Sequence, residues 1–381
     1  MAEYDDVNKS QKYGLHGLMT LLVTALLLGC HSNVCVPADD DPDSCWCPGF
    51  QGKACDEVNP VFGSTWMQWV AEHEPGWTSL RLRDIAMPGS HDAASGYLKE
   101  DGSNITAFGD ETGDSLVESI PDFLSGWAKT QAGPLTTQLE AGMRAFDLRM
   151  VLHAEGGPTF HHGDVYWDTL ALPVFEAFRD FLQENPNEII IFSMIHFAGS
   201  GNNEAGHRLF VESLHEIFGD LLIPAALDAP ARTLDEIFET SGRLMVLYER
   251  GGDEGFWEHE GAANLYPIER MYSNYDVSVN TGERLDAYLE QEVLVPVEDV
   301  KFIQAHLQYS QEVIQSNLAT YIEGYTVQET ANERVLAWMQ RHRDNPDAAI
   351  RIVDFDYFEL LADELMKEFA HVNRAISRQK Q

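Results

Sequence analysis

Apolar positions along this chain fall into two alternating rhythms. SLRLRDIAM (79–87), MRAFDLRMVL (143–152), EIIIFSMIHF (188–197), RLMVLYE (243–249), VKFIQAHL (300–307) and AAIRIVDFDYF (348–358) are short runs rich in β-branched or aromatic residues, the pattern of buried strands. Between them lie amphipathic runs with helix stop signals: LTTQLEAG closed by Gly142, VFEAFRDFLQENP closed by Pro186, HRLFVESLHEIFG closed by Gly219, and then ERLDAYLEQEV and ERVLAWMQRHR. Strand and helix alternating this often predict parallel strands, hence a doubly wound sheet or a (β/α) barrel.

The stretch Gln138–Tyr166, QLEAGMRAFDLRMVLHAEGGPTFHHGDVY, concentrates the chemistry. Asp147 and Arg149 stand two apart in a strand, so both leave one face. A carboxylate beside a guanidinium suits an anion. His161 and His162 end a second short strand before Gly163. In a barrel, catalytic groups come from the C-terminal ends of different strands. His91 follows the first run across Pro88-Gly89-Ser90; Arg149, His162, His196, His306 and Asp356 stand near the ends of others. That placement favours an irregular TIM-type α/β barrel. Alternation puts Ile350, Ile352, Asp354 and Asp356 on one face, and parity does not separate the two acids. Ala93–Gly133 reads as a long insertion flapping over the rim.

Charge narrows the partners. With 25 basic and 62 acidic residues, net −37, the chain lacks the basic face that nucleic acid requires, and phosphate must be met by a few local cations. At the N-terminus, Lys9 and Lys12 precede an apolar run, Leu18–Leu28, too short to span a bilayer. It reads as an export signal over 1–29. LLGC, ending at Cys30, resembles the lipobox of bacterial lipoproteins, which implies acylation of Cys30 and anchorage on the extracytoplasmic side. All five cysteines lie between Cys30 and Cys55, so 30–58 is expected to be a small disulfide-rich segment, with a metal site as the competing reading. CWCPGFQGKAC resembles the C-terminal half of an EGF-like module, and that likeness implies pairing of Cys35 with Cys45 and of Cys47 with Cys55. Residues 59–381 form one domain with no linker dividing it.

LRDIAMPGSHDAAS, QLEAGMRAFDLRM, FHHGDVY, NPNEIIIFSMIHF and IRIVDFDYFELL, in that order, resemble the X domain of phosphatidylinositol-specific phospholipases C, especially its single-domain members. The resemblance implies a metal-independent phosphodiesterase acting on an inositol phospholipid at a membrane. His91 would be general base and His162 general acid. Asp92 and Asp356 would each orient one imidazole, Arg149 would contact the phosphate, and Asp147 would position Arg149. His161, His196, Asp354 and His306 are candidate substrate contacts, with Tyr248 a further one. One branch of the family uses calcium held by an Asn after the first histidine. Asp92 and Arg149 match the arginine branch, so no cofactor is expected and calcium is not favoured. Two other readings stand beside this one: a non-catalytic binding protein on the same fold, and a phosphodiesterase for another lipid headgroup.

Overall fold

A computed structural model describes residues 36–38, 41–47, 50–51, 65–74, 76–108, 125–126, 128–250, 254–258, 260–276, 278–308, 324–358 and 361–380. The chain divides into Met1–Pro60 and Val61–Gln381. In the first unit, β1 (Val36–Ala38), β2 (Asp41–Cys47) and β3 (Phe50–Gln51) form a three-stranded antiparallel sheet. The leader, Cys30, Cys35 and Cys55 lie outside the described residues, as do the side chains of Cys45 and Cys47. The expected lipid anchor, disulfides and EGF-like pairing therefore lie outside the described residues. No helix among the described residues is long and apolar enough to cross a membrane.

The second unit continues with β4 (Met87–Ser90), β5 (Ile105–Ala107), β6 (Ala145–Val151), β7 (Thr159–His162), β8 (Val165–Trp167), β9 (Ile190–Ala198), β10 (Leu244–Tyr248), β11 (Leu265–Pro267), β12 (Met271–Ser273), β13 (Val300–Gln304) and β14 (Ile352–Phe355). Eight of these run side by side in the order β11-β10-β9-β6-β4-β14-β13-β12, and every neighbouring pair is parallel. The two end strands are joined in sequence by the 3-10 turn Ile268–Arg270, with no ladder between them among the described residues. This is the irregular barrel expected. Parallel strands covered on both faces read as continuous apolar runs, and all five residues of β10, LMVLY, are buried. The helix Ala171–Glu184 turns Ala171, Val174, Phe175, Phe178 and Leu182 inward, three or four residues apart, as an apolar helical stripe requires.

Two strand expectations are corrected. In SLRLRDIAM, Leu82–Asp84 is a 3-10 turn, and the strand is confined to Met87–Ser90. Pairing there has to await Arg351, whose carbonyl takes the Met87 N–H at 3.0 Å. The strand bearing His161 and His162 is not a barrel stave. It is the first arm of an antiparallel extension, β6-β7-β8-β5, folded back from the end of β6. The amphipathic reading also missed the helices Trp66–His73 and Ala362–Lys380.

At the N-terminal ends of β6 and β9, away from the rim that bears the chemistry, Arg144 and Glu188 form a fully buried pair: Nη2 lies 2.7 Å and Nε 2.8 Å from Oε2. The Gln68 N–H reaches the other carboxylate oxygen at 2.8 Å, tying the Trp66–His73 helix to this floor. Removing one member leaves an uncompensated buried charge, so Arg144→Met is expected to lower unfolding free energy by about 3–5 kcal/mol. Chemical denaturation measures this, and a loss below about 1 kcal/mol would contradict it.

Candidate active site

The C-terminal ends of β4, β6 and β14 bring His91, Asp92, Arg149 and Asp356 together, and the returning arm β7 adds His162. His91 is fixed through its backbone before its side chain is considered. Its N–H donates to the Phe355 carbonyl at 3.1 Å, and its carbonyl accepts from Gln131 Nε2 at 2.8 Å and Thr130 Oγ1 at 3.0 Å. Asp92 follows with φ of 41°, a left-handed conformation that Asp tolerates better than most side chains. That turn swings its carboxylate into the cluster.

His91 Nδ1 lies 2.8 Å from Asp356 Oδ1, and Nε2 lies 3.0 Å from Arg149 Nη2. A guanidinium only donates, so Nε2 must be the acceptor and Nδ1 carries the proton given to Asp356. The tautomer thus follows from Arg149. His162 Nδ1 lies 2.8 Å from the Ala128 carbonyl and Nε2 lies 2.9 Å from Asp92 Oδ2, an ion-pair distance that suits an imidazolium. Arg149 Nε lies 2.5 Å from Asp92 Oδ1, whereas Nη2 is 3.4 Å from Asp147 Oδ2. Asp92, rather than Asp147, is the closer partner of the guanidinium, and it also carries His162. The two acids at the end of β14 are separated as well: Asp356 holds His91, while Asp354 is fully buried with neither carboxylate oxygen hydrogen-bonded among the described residues.

Burial and neighbours push these groups apart. Burial lowers His91 to about 4, so it is uncharged at neutral pH. Burial acts on His162 in the same direction, but the Asp92 carboxylate outweighs it and raises His162 above its ordinary value. For Asp92, burial is overcome by Arg149, His162 and His91, which hold it well below the carboxylate range. Burial lifts Asp356 to about 7 and Asp354 well above the ordinary value. One neutral and one charged imidazole is the division that proton transfer in two directions requires.

The other expected contacts are placed by their own neighbours. His161 Nδ1 faces the Gly163 carbonyl at 3.2 Å and Nε2 the His196 carbonyl at 2.5 Å, so it binds the hairpin to the rim. His196 has an exposed side chain, and its φ of 54° turns its backbone, not its ring, to use. Tyr248 is fully buried against His207 Nδ1 at 2.6 Å. His306 is buried and stacks on His91. Strand-end position says nothing of which neighbour claims each of these side chains. The expected flap is partly a strap: the strand β5 pairs with β8, and 128–131 crosses the ends of β4 and β14, with the Thr130 carbonyl taking the Tyr357 N–H at 2.7 Å. Ala128, Thr130 and Gln131 were missed as site residues; their only sequence signal is a polar pair before Gly133.

Two triads offer ligand atoms within 4.8 Å of one another, His91-Asp92-Asp147 and His91-His306-Asp356. Neither suits calcium, which takes six to eight oxygen ligands. In the first, Asp92 and Asp147 are already engaged by the Arg149 cation.

The α/β barrel thus gathers imidazoles, a guanidinium and carboxylates at its C-terminal rim. The phosphatidylinositol-specific phospholipase C of Staphylococcus aureus shares this fold, with TM-scores of 0.54 at 17% identity, covering 80% of this chain and 97% of that one, and 0.56 at 18% identity, covering 82% and 98%. Residues 121–249 match the family "Phosphatidylinositol-specific phospholipase C, X domain". That match contains Asp147, Arg149 and His162 and stops short of His91 and Asp356. Among relatives, PI-PLC X domain-containing protein 3 of Danio rerio is 25% identical over 316 residues, 77% of this chain and 89% of the relative. Its Homo sapiens counterpart is 26% identical over 315 residues with the same coverage. PI-PLC X domain-containing protein 2 of Homo sapiens is 29% identical over 191 residues, 47% of this chain and 59% of the relative.

Proposed function

We propose that this chain is a phosphodiesterase of the phosphatidylinositol phospholipase C type, acting without a metal on an inositol phospholipid at a membrane surface. His91 Nε2 takes the proton from the inositol hydroxyl beside the phosphodiester. The resulting oxygen attacks phosphorus, closing a cyclic inositol phosphate, while the bond to the glycerol oxygen breaks. His162 Nε2 returns a proton to that oxygen, and diacylglycerol leaves. Arg149 meets the charge building on the non-bridging oxygens. The observation that carries this reading is the gathering of a neutral imidazole, a charged imidazole and a guanidinium at one rim: His91 Nε2 lies 3.0 Å from Arg149 Nη2, and Asp92 links Arg149 to His162. Substrate entry would move Arg149 off His91 and free the base. Export and anchorage through Cys30 belong to the same proposal. The test is product analysis on phosphatidylinositol vesicles: cyclic inositol phosphate with diacylglycerol is the expected outcome, and neither product from a folded sample would refute the reading.

The pH dependence is worked out from the same groups. Asp356 must be ionised to accept the Nδ1 proton of His91, and burial lifts it to about 7, so activity is expected to rise as pH passes through neutrality. His162 must be charged, and with its value raised, activity falls only as pH rises beyond it. Asp356→Asn keeps an oxygen acceptor for Nδ1 without the titration. The variant is expected to be slower, with its rising limb displaced downward towards the His91 value of about 4. A kcat/KM profile measures this; an unmoved limb would assign it to another group.

A further inference from the structure

His306 takes part in no step above, yet it is packed more closely on the catalytic imidazole than any other ring. It follows β13, is 1% exposed, and its ring centroid lies 3.8 Å from that of His91 with 15° between the planes. His162, by contrast, meets His91 edge to face at 6.1 Å and 83°. In the run Gln304-Ala305-His306-Leu307-Gln308, which leaves the strand after Gln304, both glutamines reach the histidine ring. Gln304 Nε2 donates to Ser273 Oγ at 3.1 Å, which turns its Oε1 towards His306 Nε2 at 2.8 Å. Gln308 Nε2 donates to His306 Nδ1 at 3.1 Å. One nitrogen therefore carries hydrogen and the other a lone pair, and both are used. The ring is a single neutral tautomer, and burial, lowering it to about 3, keeps it so. What it has left to offer is a flat face, and His91 lies against it.

We propose that His306 is a positioning residue: clamped by Gln304 and Gln308, it is the platform that sets the plane of the His91 ring, keeping Nδ1 on Asp356 and Nε2 turned to the reacting hydroxyl. This rests on the reading of His91 as the base. It departs from the expectation that His306 touches the headgroup, and it assigns the two glutamines a purpose. A stacked ring restricts rotation about the Cβ–Cγ bond of His91, which a single hydrogen bond to Asp356 does not, since the ring can pivot on that bond.

The test compares His306→Ala, His306→Phe and Gln308→Leu with the unmodified chain, in kinetics on phosphatidylinositol vesicles and in NMR of histidine-labelled protein, after thermal melts confirm folding. Loss of alignment of this kind costs about 10²-fold, so His306→Ala is expected to lose kcat on that order with KM little changed, and His306→Phe to recover most of it. A raised KM with kcat preserved, or equal losses in Ala and Phe, would overturn the proposal. In NMR, His91 ring protons in the resting protein are expected upfield from the stacked ring and to return towards ordinary positions in His306→Ala. Gln308→Leu, which leaves the ring but loosens the clamp, covers the case in which His306→Ala does not fold: it is expected to broaden the His91 signals, and unchanged signals would count against the clamp. Absence of turnover in the unmodified chain would refute the function proposed above, and the His91 signals would still decide the stack.

Discussion

Alanine at His91 is expected to lower kcat by about 10²–10⁴-fold, the range of one positioned proton transfer, with substrate affinity little altered. The side chain lies under Arg149 and above no other acceptor that could take over: Asp356 faces Nδ1, and Asp92 is held well below the carboxylate range by its three partners, too weak a base at neutral pH. The chain keeps the fold because the contacts holding this position are largely to the backbone, from Phe355, Thr130 and Gln131. Release of diacylglycerol by the variant beside the unmodified protein measures the effect. Equal signals would turn the reading to a binding protein on a phospholipase fold.

The second large effect is expected at Arg149. Alanine there removes the guanidinium proposed to meet the phosphate charge and should cost about 10²–10³-fold in kcat, as loss of a preorganised charge-stabilising donor does. It also removes the cation shared by Asp92 and Asp147, leaving Asp92 with His162, and lysine should restore only part of the activity: its point charge does not reproduce the fork that spans Asp92, Asp147 and His91. Full activity of the unmodified protein in excess chelator belongs to the same expectation. Loss in chelator that calcium restores would show that a metal, rather than Arg149, meets the phosphate charge.

How much of this was legible in the chain differs by residue. His91, Arg149, His162 and Asp356 were read from strand-end position and order, and the structure brings them together. The same rule also picked out His196 and His306, and it left their surroundings open: a strand end delivers a side chain to the rim but does not say whether a carbonyl, a glutamine or another ring will claim it. Asp354 and Asp356 illustrate the point most simply. They stand two residues apart at the end of one strand, and only the depth of each in the barrel makes one the partner of His91 and the other a buried acid with no hydrogen bond to its carboxylate among the described residues.

By itself, the sequence determined the alternation of strand and helix, hence parallel strands, and the supply of imidazole, guanidinium and carboxylate to their ends. These follow from local periodicity and side-chain type. Only the tertiary structure decided which nitrogen of His91 holds the proton, that Asp92 serves Arg149 and His162 together, and that the segment 128–131 straps the site. Those depend on contacts between residues tens to hundreds of positions apart, where hydrogen-bond direction and burial, absent from any local pattern, select the partner.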